Sequence, residues 1–401
     1  MVGKINAQRV DQSSWIRWVI LFILTSNFLL VLGYAFALTA PIVPALIREL
    51  NITLTMAGLL STSLNLAGAI LSLPSGVLLD SIGAEKGLII SLLAGCIGWV
   101  ICAISPDFNT LLIGRFFIGI CGIILGAGGP IVIIKWFKEK EQGIALGIWS
   151  ASMATARAVF TPMASLITTQ YGWRAVFTVG LISSIILLPP SVLMLMKSSR
   201  IENIDVRHNK VSLKGLKDSL RSFQIWLFGL TIFIGLSPAN IFGTYGVTLL
   251  SKEKGFSESI ASLLLGIMGV CGIFGSMFGG WLSVKIGKKR TYLVSLCGEV
   301  IPFITFALVY QQYIVMAMVL IIGLVSAIKS PMNYSIPPSL AVNGYVGMAL
   351  GIARIFMYLP GAIMPPISGF IYESYGFIEL MLVQITLLLL ACLLVMRLKV
   401  K

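Results

Sequence analysis

Long apolar segments recur along nearly the whole chain, and no other feature constrains its fold as strongly. A helix needs about 20 apolar residues to cross a hydrocarbon core of about 30 Å. The chain is 57% hydrophobic and only 11% charged, whereas a soluble domain carries about 25% charged residues. We therefore predict an all-α membrane protein. The twelve predicted spans are residues 18–40, 54–79, 87–105, 110–134, 143–168, 174–196, 223–249, 259–284, 291–310, 313–335, 346–371 and 376–396.

The chain offers few side chains for metal binding or for nucleophilic catalysis. Its six cysteines fall within predicted spans, and none of them forms a Cys-x-x-Cys pair. The single histidine, His208, lies in the central loop. We therefore expect no disulfide framework, no metal centre and no histidine-containing catalytic triad. The sequence predicts neither an enzyme nor a protein with a cofactor.

The formal net charge of +14 reflects membrane topology rather than nucleic-acid binding. Most Lys and Arg residues fall in loops on the same side as the termini, whereas the other side has only Arg48, Arg174, Lys252 and Lys254. Because basic residues concentrate in cytoplasmic loops, both termini are predicted to be cytoplasmic. We expect a multi-pass monomer in the cell (plasma) membrane that contacts the lipid bilayer and no nucleic acid.

The chain matches itself at an offset of 204 residues. Gly143-Ile-Ala-Leu-Gly-Ile148 lies on Gly347-Met-Ala-Leu-Gly-Ile352, and in the same ungapped register Pro162 lies on Pro366. A register that holds over several helices predicts that a six-span unit has been duplicated. The predicted domains are an N-terminal six-helix half (1–196), a cytoplasmic linker loop (197–221) and a C-terminal six-helix half (222–401).

Related motifs follow the second and the eighth predicted spans. The first reads Gly76-Val-Leu-Leu-Asp80-Ser-Ile-Gly83-Ala-Glu-Lys86, and the second reads Gly280-Trp-Leu-Ser-Val-Lys285-Ile-Gly287-Lys288-Lys289-Arg290. Together they resemble the loop signature of the major facilitator superfamily, Gly-x-x-x-Asp-Arg/Lys-x-Gly-Arg/Lys-Arg/Lys, although Val284 stands in place of the second aspartate. Glycines permit the tight reversal that such a loop needs. The resemblance implies gating roles for Asp80, Gly83, Gly287, Lys288 and Arg290.

Two shorter patterns add to this resemblance. The run from Arg115 to Gly119 is similar to an Arg-x-x-x-Gly pattern of the family, and Tyr171-Gly-Trp-Arg174 is similar to its organic-anion members. The resemblance covers the whole chain and implies twelve helices in two halves. In that fold the first, fourth, seventh and tenth helices line a central cavity, which the second, fifth, eighth and eleventh helices flank.

Ionisable residues lie well inside five of the predicted spans: Arg115, Arg157, Glu299, Lys329 and Arg354. A charge inside the bilayer is costly and usually faces a cavity, a partner or a pathway. The family resemblance implies that Arg157, Lys329 and Arg354 face the substrate. As an alternative, Lys329 pairs with Glu299 on the adjacent span. Arg115, about a turn from the outer end of its span, is a secondary candidate with a structural alternative.

Polar and aromatic residues extend the predicted binding site. Arg354 and Tyr358 share one helical face, as do Lys329 and Asn333, because each pair is spaced at i and i+4. A positively charged cavity stabilises an anion, and a guanidinium group binds a carboxylate through two hydrogen bonds. The remaining candidates are Asn27, Tyr34, Trp149, Asn240 and Tyr245.

We therefore predict a secondary active transporter that moves a small organic or inorganic anion, with a carboxylate favoured, by alternating access. The chain is similar to superfamily members that handle oxalate and formate, nitrate and nitrite, cyanate or monocarboxylates. Glu299 is the only acid deep in a span, so anion exchange is favoured over proton coupling, with a counter-anion or a proton as the coupling ion. The alternatives are a proton-driven multidrug exporter and a transport-dead receptor.

Overall fold

The computed structural model describes residues 14–200, 220–341 and 346–399, except for the side chains at positions 14, 80, 139, 140, 197–200, 346 and 347. Twelve helices in this part of the chain are long and apolar enough to cross a membrane. The all-α membrane fold with twelve spans is confirmed. Most of the predicted linker lies outside the described residues, and the helix of the sixth span continues to Arg200.

The spans alternate in direction, so the first and last described residues and the turns after the second, fourth and eighth spans lie at one end of the bundle. We call this end the terminal face and the opposite end the distal face. The first six spans comprise Ser14–Asn27, Phe28–Gly33, Tyr34–Ala37, Thr39–Leu50, Leu54–Ile82, Ala84–Ala103, Phe108–Trp136, Glu139–Tyr171 and Trp173–Arg200. The last six comprise Phe223–Lys254, Glu258–Ile286, Lys288–Leu308, Gln312–Ile328, Met332–Ser335, Pro337–Leu340, Val346–Tyr375 and Phe377–Arg397.

Two spans depart from the predicted pattern. Phe28–Gly33 is a turn of π-helix inside the first span, and the helical course then continues to Leu50. The helix of the tenth span ends at Ile328, and a turn leads into the short helix Met332–Ser335. Pro331 lies in this turn. Because proline has no N–H to donate, it cannot continue the hydrogen bonding of the preceding helix. The predicted i, i+4 spacing of Lys329 and Asn333 is therefore interrupted.

Local capping explains several helix ends. The side chain of Asp107 accepts a hydrogen bond from the backbone N–H of Thr110 at 2.8 Å and so begins the fourth span. This N–H holds the pKa of the Asp107 carboxyl below its usual range. Gly83 and Gly287 end the second and eighth spans with φ of 87° and 88°, a region that favours glycine.

The two halves of the chain close against each other at the distal face. Arg48 forms an ion pair with Glu258, and the Glu373 carboxylate accepts hydrogen bonds from the backbone N–H groups of Leu54 and Thr55. These contacts join the first and eighth spans and the second and eleventh spans. The distal face is therefore sealed by charged and polar groups from both halves.

Prolines expose two backbone carbonyls where the halves meet. An α-helical carbonyl normally accepts a hydrogen bond from the N–H four residues later, which proline lacks. Pro162 thus leaves the carbonyl of Ala158 without this partner in the fifth span, and Pro366 does the same for Ala362 in the eleventh. The two prolines occupy the same position in the 204-residue register.

Each exposed carbonyl meets the opposite half differently. The Thr62 hydroxyl donates a 2.7 Å hydrogen bond to the Ala362 carbonyl oxygen. Gly266, which matches Thr62 in the repeat register, lies against the Ala158 carbonyl, and a Cβ added there would be only 2.9 Å from this oxygen. One interface between the halves is therefore held by a side-chain hydrogen bond and the other by close backbone contact.

Candidate substrate-binding site

A small polar cavity of about 10 Å³ lies between the two halves. This volume holds the centre of about one water-sized sphere. Its walls come from the first, second and fifth spans of the N-terminal half and from the seventh span of the C-terminal half. We call it the central cavity. Its lining residues are Phe36, Thr39, Ser61, Asn65, Arg157, Asn240, Gly243 and Thr244.

Arg157 supplies the positive charge of the central cavity. It lies 18 residues from the start of Glu139–Tyr171 and 14 from its end, or about 27 and 21 Å along the helix. No hydrogen bond or ion pair joins its guanidinium group to any residue that the structure describes. Acidic side chains are also absent from the described lining. A cation near mid-membrane without a protein counter-charge is a strong attraction for an anion.

Amide and hydroxyl groups surround this cation. Asn65 and Asn240 each use one N–H of the side-chain amide to bond a carbonyl of their own helix, at 2.8 and 2.9 Å. Each amide retains a second N–H and an oxygen for other partners. Ser61 and Thr244 form a 2.7 Å hydrogen bond across the boundary between the halves. The cavity therefore combines one strong cation with donors and acceptors that suit hydroxyl groups.

A second arginine lies behind the wall of the cavity. Arg115 is fully buried and donates hydrogen bonds to the Ala35 carbonyl at 2.7 Å and to the Thr39 hydroxyl at 2.6 Å. A longer bond of 3.4 Å reaches the Leu60 carbonyl. These acceptors are uncharged, so they leave the positive charge in place. Because Thr39 lines the central cavity, Arg115 adds to its positive potential while bracing the first and second spans.

Arg354 lies closer to the terminal face. Its Nη2 donates a 3.0 Å hydrogen bond to the Gly126 carbonyl of the fourth span. The hydroxyls of Tyr334 and Tyr358 lie near this guanidinium group. Tyr334 is 55% exposed although it lies beside these groups, so its ring borders an open space. Arg354 and the two tyrosines thus form a second polar cluster between the central cavity and the terminal face, which we call the second level.

Aromatic rings border this second level. Phe28 stacks on Trp149 with ring centroids 4.2 Å apart and an interplanar angle of 25°. Phe28 belongs to the π-helical turn of the first span, and π-turns are frequent at functional sites. The indole Nε1 of Trp149 is buried without a hydrogen-bond partner among the described residues. This N–H is a hydrogen-bond donor whose capacity no described residue uses.

Lys329 occupies a different environment. Its ammonium group forms an ion pair with Glu299, and both side chains are fully shielded from solvent. This is the alternative considered for Lys329 from the sequence. The pair joins the ninth and tenth spans inside the C-terminal half, away from the central cavity. The structure therefore does not bring Lys329 to Arg157 or Arg354.

Residues 24–249 and 227–401 each match the sequence pattern of the Major Facilitator Superfamily. The chain belongs to the Major Facilitator Superfamily. It is therefore a membrane transporter and not an enzyme, and the resemblance seen in its sequence is confirmed.

Superfamily relatives align over most of the chain. A D-galactonate transporter of Escherichia coli O6:H1 is 22% identical over 406 residues, covering 93% of this chain and 92% of that protein. The protein named Probable sulfoacetate transporter SauU, from Cupriavidus necator, is 23% identical over 368 residues and covers 84% and 83%. A bacterial homologue of the human lysosomal transporter Spinster, in an inward-facing and unoccupied crystal structure, has a TM-score of 0.77 at 15% identity, covering 96% and 97%. This last likeness supports the fold.

Several residues predicted to bind substrate make packing contacts in this superfamily member. Asn27 donates a 2.7 Å hydrogen bond to Ser191, and the Tyr34 hydroxyl donates to the Val176 carbonyl at 2.8 Å. Both bonds tie the first span to the sixth. Asn333 is buried, and its Oδ1 has no hydrogen-bond partner among the described groups.

Tyr245 joins the halves instead of lining the central cavity. Its hydroxyl lies within hydrogen-bond distance of the Leu54 carbonyl at 2.9 Å and the Pro365 carbonyl at 2.8 Å. It therefore belongs with the distal closure. Of the sequence candidates, Arg157 and Asn240 line the central cavity, whereas Arg354, Tyr358 and Trp149 lie at the second level.

The superfamily loop motifs occupy the terminal face. Gly83 and Gly287 make the expected reversals, and the Lys288 ammonium group donates a 2.8 Å hydrogen bond to the Ser335 carbonyl. Arg290 is exposed. Asp80 lies in the last turn of its helix, but its side chain is outside the described residues. A gating role for these residues remains a prediction.

Four polar cavity residues were missed from the sequence: Thr39, Ser61, Asn65 and Thr244. Ser61 and Asn65 are spaced at i and i+4 in the second span, and Asn240 and Thr244 have the same spacing in the seventh. Residues with this spacing lie on one face of a helix. Paired polar residues within apolar spans were thus the signal that would have found them.

Proposed function

We propose that this transporter carries a small organic anion, a carboxylate or a sulfonate, and that the Arg157 guanidinium group binds its charged end. The observation that carries this proposal is the absence of any described counter-charge for Arg157 in a polar cavity between the halves. A guanidinium group offers a carboxylate or sulfonate two parallel hydrogen bonds. The positive potential from Arg115 adds to this attraction.

Amide and hydroxyl groups provide the second part of substrate recognition. Asn65 and Asn240 have free hydrogen-bonding capacity toward a ligand, as described above. A hydroxylated carboxylate would pair with these groups, whereas an aliphatic acid would leave them unsatisfied at a cost of about 1–3 kcal/mol each. The printed names of two relatives, a D-galactonate transporter and a sulfoacetate transporter, agree with a small anionic substrate.

Transport by alternating access requires the halves to rock about the central cavity. The distal face is closed by Arg48–Glu258 and by Glu373. This arrangement favours release or uptake at the terminal face, which we assign to the cytoplasm because of its basic loops.

Anion exchange is the favoured coupling. Proton coupling normally uses a carboxylate or a histidine in the pathway, but Glu299 is paired with Lys329 away from the cavity. The same observation disfavours a proton-driven exporter of cationic drugs, which would place an acid in its binding site. An electrically balanced exchange of two anions needs no such group.

Counterflow in reconstituted vesicles tests this function. Vesicles of purified protein are loaded with unlabelled D-galactonate, sulfoacetate or nitrate, and uptake of the same labelled anion is recorded. We expect uptake to exceed that of protein-free vesicles for at least one organic anion. We also expect Arg157→Met to abolish it and Arg397→Met, which removes an exposed arginine charge, to retain it.

Three results would contradict the proposal. One is counterflow that survives Arg157→Met unchanged. Another is efflux of a cationic drug along a proton gradient without exchange of any anion. The third is the absence of flux for every solute from folded protein, which would favour a receptor. Inside-out and right-side-out vesicles, together with a reporter fused to the C-terminus, test the assigned orientation.

A further inference from the structure

The carbonyl group of Gly126 lacks its usual partner within the fourth span. An α-helical carbonyl accepts a hydrogen bond from the N–H four residues later, but that residue is Pro130, which has none. An unpaired carbonyl in apolar surroundings is costly, so another donor normally takes it. Here the donor is Nη2 of Arg354, at 3.0 Å.

This hydrogen bond joins the two halves near the terminal face. Gly126 belongs to the fourth span and Arg354 to the eleventh. Arg354 lies eight residues after the start of its helix, or about 12 Å from that end. Other hydrogen bonds between described residues of the two halves, such as Thr62 to the Ala362 carbonyl, lie nearer the distal face. Arg354 is thus placed to hold the terminal side together.

The same contact lies on the route out of the central cavity. Asn65, which lines that cavity, packs against Gly361 of the eleventh span. The ring of Tyr358, about one turn closer to the terminal face, packs against Gly68. Arg354 follows one further turn along the same helix. An anion that leaves Arg157 for the terminal face therefore passes Tyr358 and then Arg354.

An anion is a better partner for Arg354 than the Gly126 carbonyl. In a hydrogen bond from guanidinium to an anionic oxygen both partners are charged, and the guanidinium group can form two such bonds in parallel. The Gly126 carbonyl is neutral and accepts only one from Arg354. The unpaired Nε1 of Trp149 is a second donor nearby, since it lies 3.0 Å from an added Cβ on Gly129, one turn from Gly126. A passing anion can therefore compete successfully for the guanidinium group.

We propose that Arg354 is a substrate-responsive gate: the carbonyl freed by Pro130 holds it while the pathway is empty, and the transported anion draws it away. Loss of this bond releases the fourth span from the eleventh and lets the terminal side open further. The part played by the anion rests on the function proposed above. The part played by the carbonyl rests on the geometry of Gly126, Pro130 and Arg354 alone.

Electron spin resonance distances across the terminal face test the gate. In a background without the six native cysteines, spin labels are attached at Ile144→Cys and Val284→Cys. These positions lie in opposite halves, and their native side chains are 63% and 86% exposed. Arg354→Met keeps an apolar side chain of similar length but cannot donate a hydrogen bond to the Gly126 carbonyl. We expect it to shift the empty protein toward longer distances, with about a tenfold change in the ratio of the two populations, as for one lost charge-assisted hydrogen bond.

Proline and lysine variants test the same contact from its other side. Pro130→Ala supplies the missing N–H and should produce a smaller shift in the same direction. Pro74→Ala is the matched control, because Pro74 is exposed and the carbonyl it frees, on Ile70, has no described side-chain partner from the other half. Arg354→Lys should restore the distances of the unmodified empty protein, since its ammonium group can still donate to a carbonyl.

The outcomes separate the gate from the proposed substrate. Unchanged distances in folded Arg354→Met protein would overturn the gate, as would equal shifts in Pro130→Ala and Pro74→Ala. Added D-galactonate should lengthen the distances of the unmodified protein but leave Arg354→Met unchanged. If Arg354→Met alters the distances but no organic anion does, the result supports the gate formed by Arg354 and the Gly126 carbonyl and contradicts the proposed anionic substrate.

Discussion

Arg157 and Lys329 are both cations inside membrane spans, yet their surroundings are opposite. Lys329 is enclosed within the C-terminal half and is paired with Glu299. Arg157 lies between the halves, beside amide and hydroxyl groups, and has no counter-charge among the described residues. The difference teaches that a buried charge indicates a binding site only when the protein leaves it unpaired. Depth in the membrane alone does not separate the two roles.

The largest expected effect comes from breaking the Lys329–Glu299 pair. Lys329→Met leaves the Glu299 carboxylate buried without a partner, which should lower the free energy of unfolding by about 3–5 kcal/mol. Thermal unfolding followed by tryptophan fluorescence measures this loss. Lys252→Met removes an exposed lysine and should leave stability nearly unchanged. Similar stabilities of the two variants would contradict a structural role for the pair.

Removing both members of the pair should restore most of that loss. Lys329→Met combined with Glu299→Leu replaces two charges by apolar groups of similar size, so no unpaired charge remains. We expect a recovery of about 2–4 kcal/mol relative to Lys329→Met. Anion counterflow by the double variant should also persist. If flux disappears in the folded double variant, the pair serves transport rather than structure.

Arg157→Met should show the reverse pattern. It removes a charge that no described protein group compensates, so stability in the absence of ligand should not fall. Anion affinity should fall about 100-fold, equivalent to about 2.7 kcal/mol, because a fully desolvated charge-assisted contact is lost. Thermal shift measured with and without D-galactonate separates the two quantities. A large loss of stability without ligand would assign Arg157 to the core.

A smaller effect is expected when Arg157 is replaced by lysine. Arg157→Lys keeps the positive charge but loses the paired hydrogen bonds of the guanidinium group. We expect anion affinity to fall about tenfold, or about 1.4 kcal/mol. Titration of the unmodified protein and the variant with the same anion measures the ratio. Equal affinities would show that charge suffices and that bidentate binding is not used.

The fold was accessible from the sequence because length and apolar composition alone define a membrane-spanning helix. The reversals at Gly83 and Gly287 were equally readable, since few residues other than glycine adopt their backbone conformation. The break after Ile328 was missed because proline does not by itself mark a break in this chain: Pro74 and Pro130 lie inside unbroken helices. There the single proline at 331 decided the local structure.

The candidate site was only partly accessible from the sequence. Arg157 and Asn240 were identified because a charge or an amide is conspicuous in an apolar span. Ser61 and Thr244 were not, because hydroxyls in helices commonly bond to their own backbone, so only their spacing from Asn65 and Asn240 marks the face they occupy. The direction of the Tyr245 hydroxyl depends on two carbonyls from different spans, and such contacts arise only from tertiary packing.

The matched prolines at 162 and 366 also carry information about ancestry. If each half descends from one six-helix chain, the carbonyl exposed by this proline was present before the duplication. Two identical chains would have made the same contact twice, with one residue type at the positions now held by Thr62 and Gly266. Fusion into a single chain released these positions from that constraint. The hydrogen bond on one side and the bare backbone contact on the other are then a record of divergence after fusion.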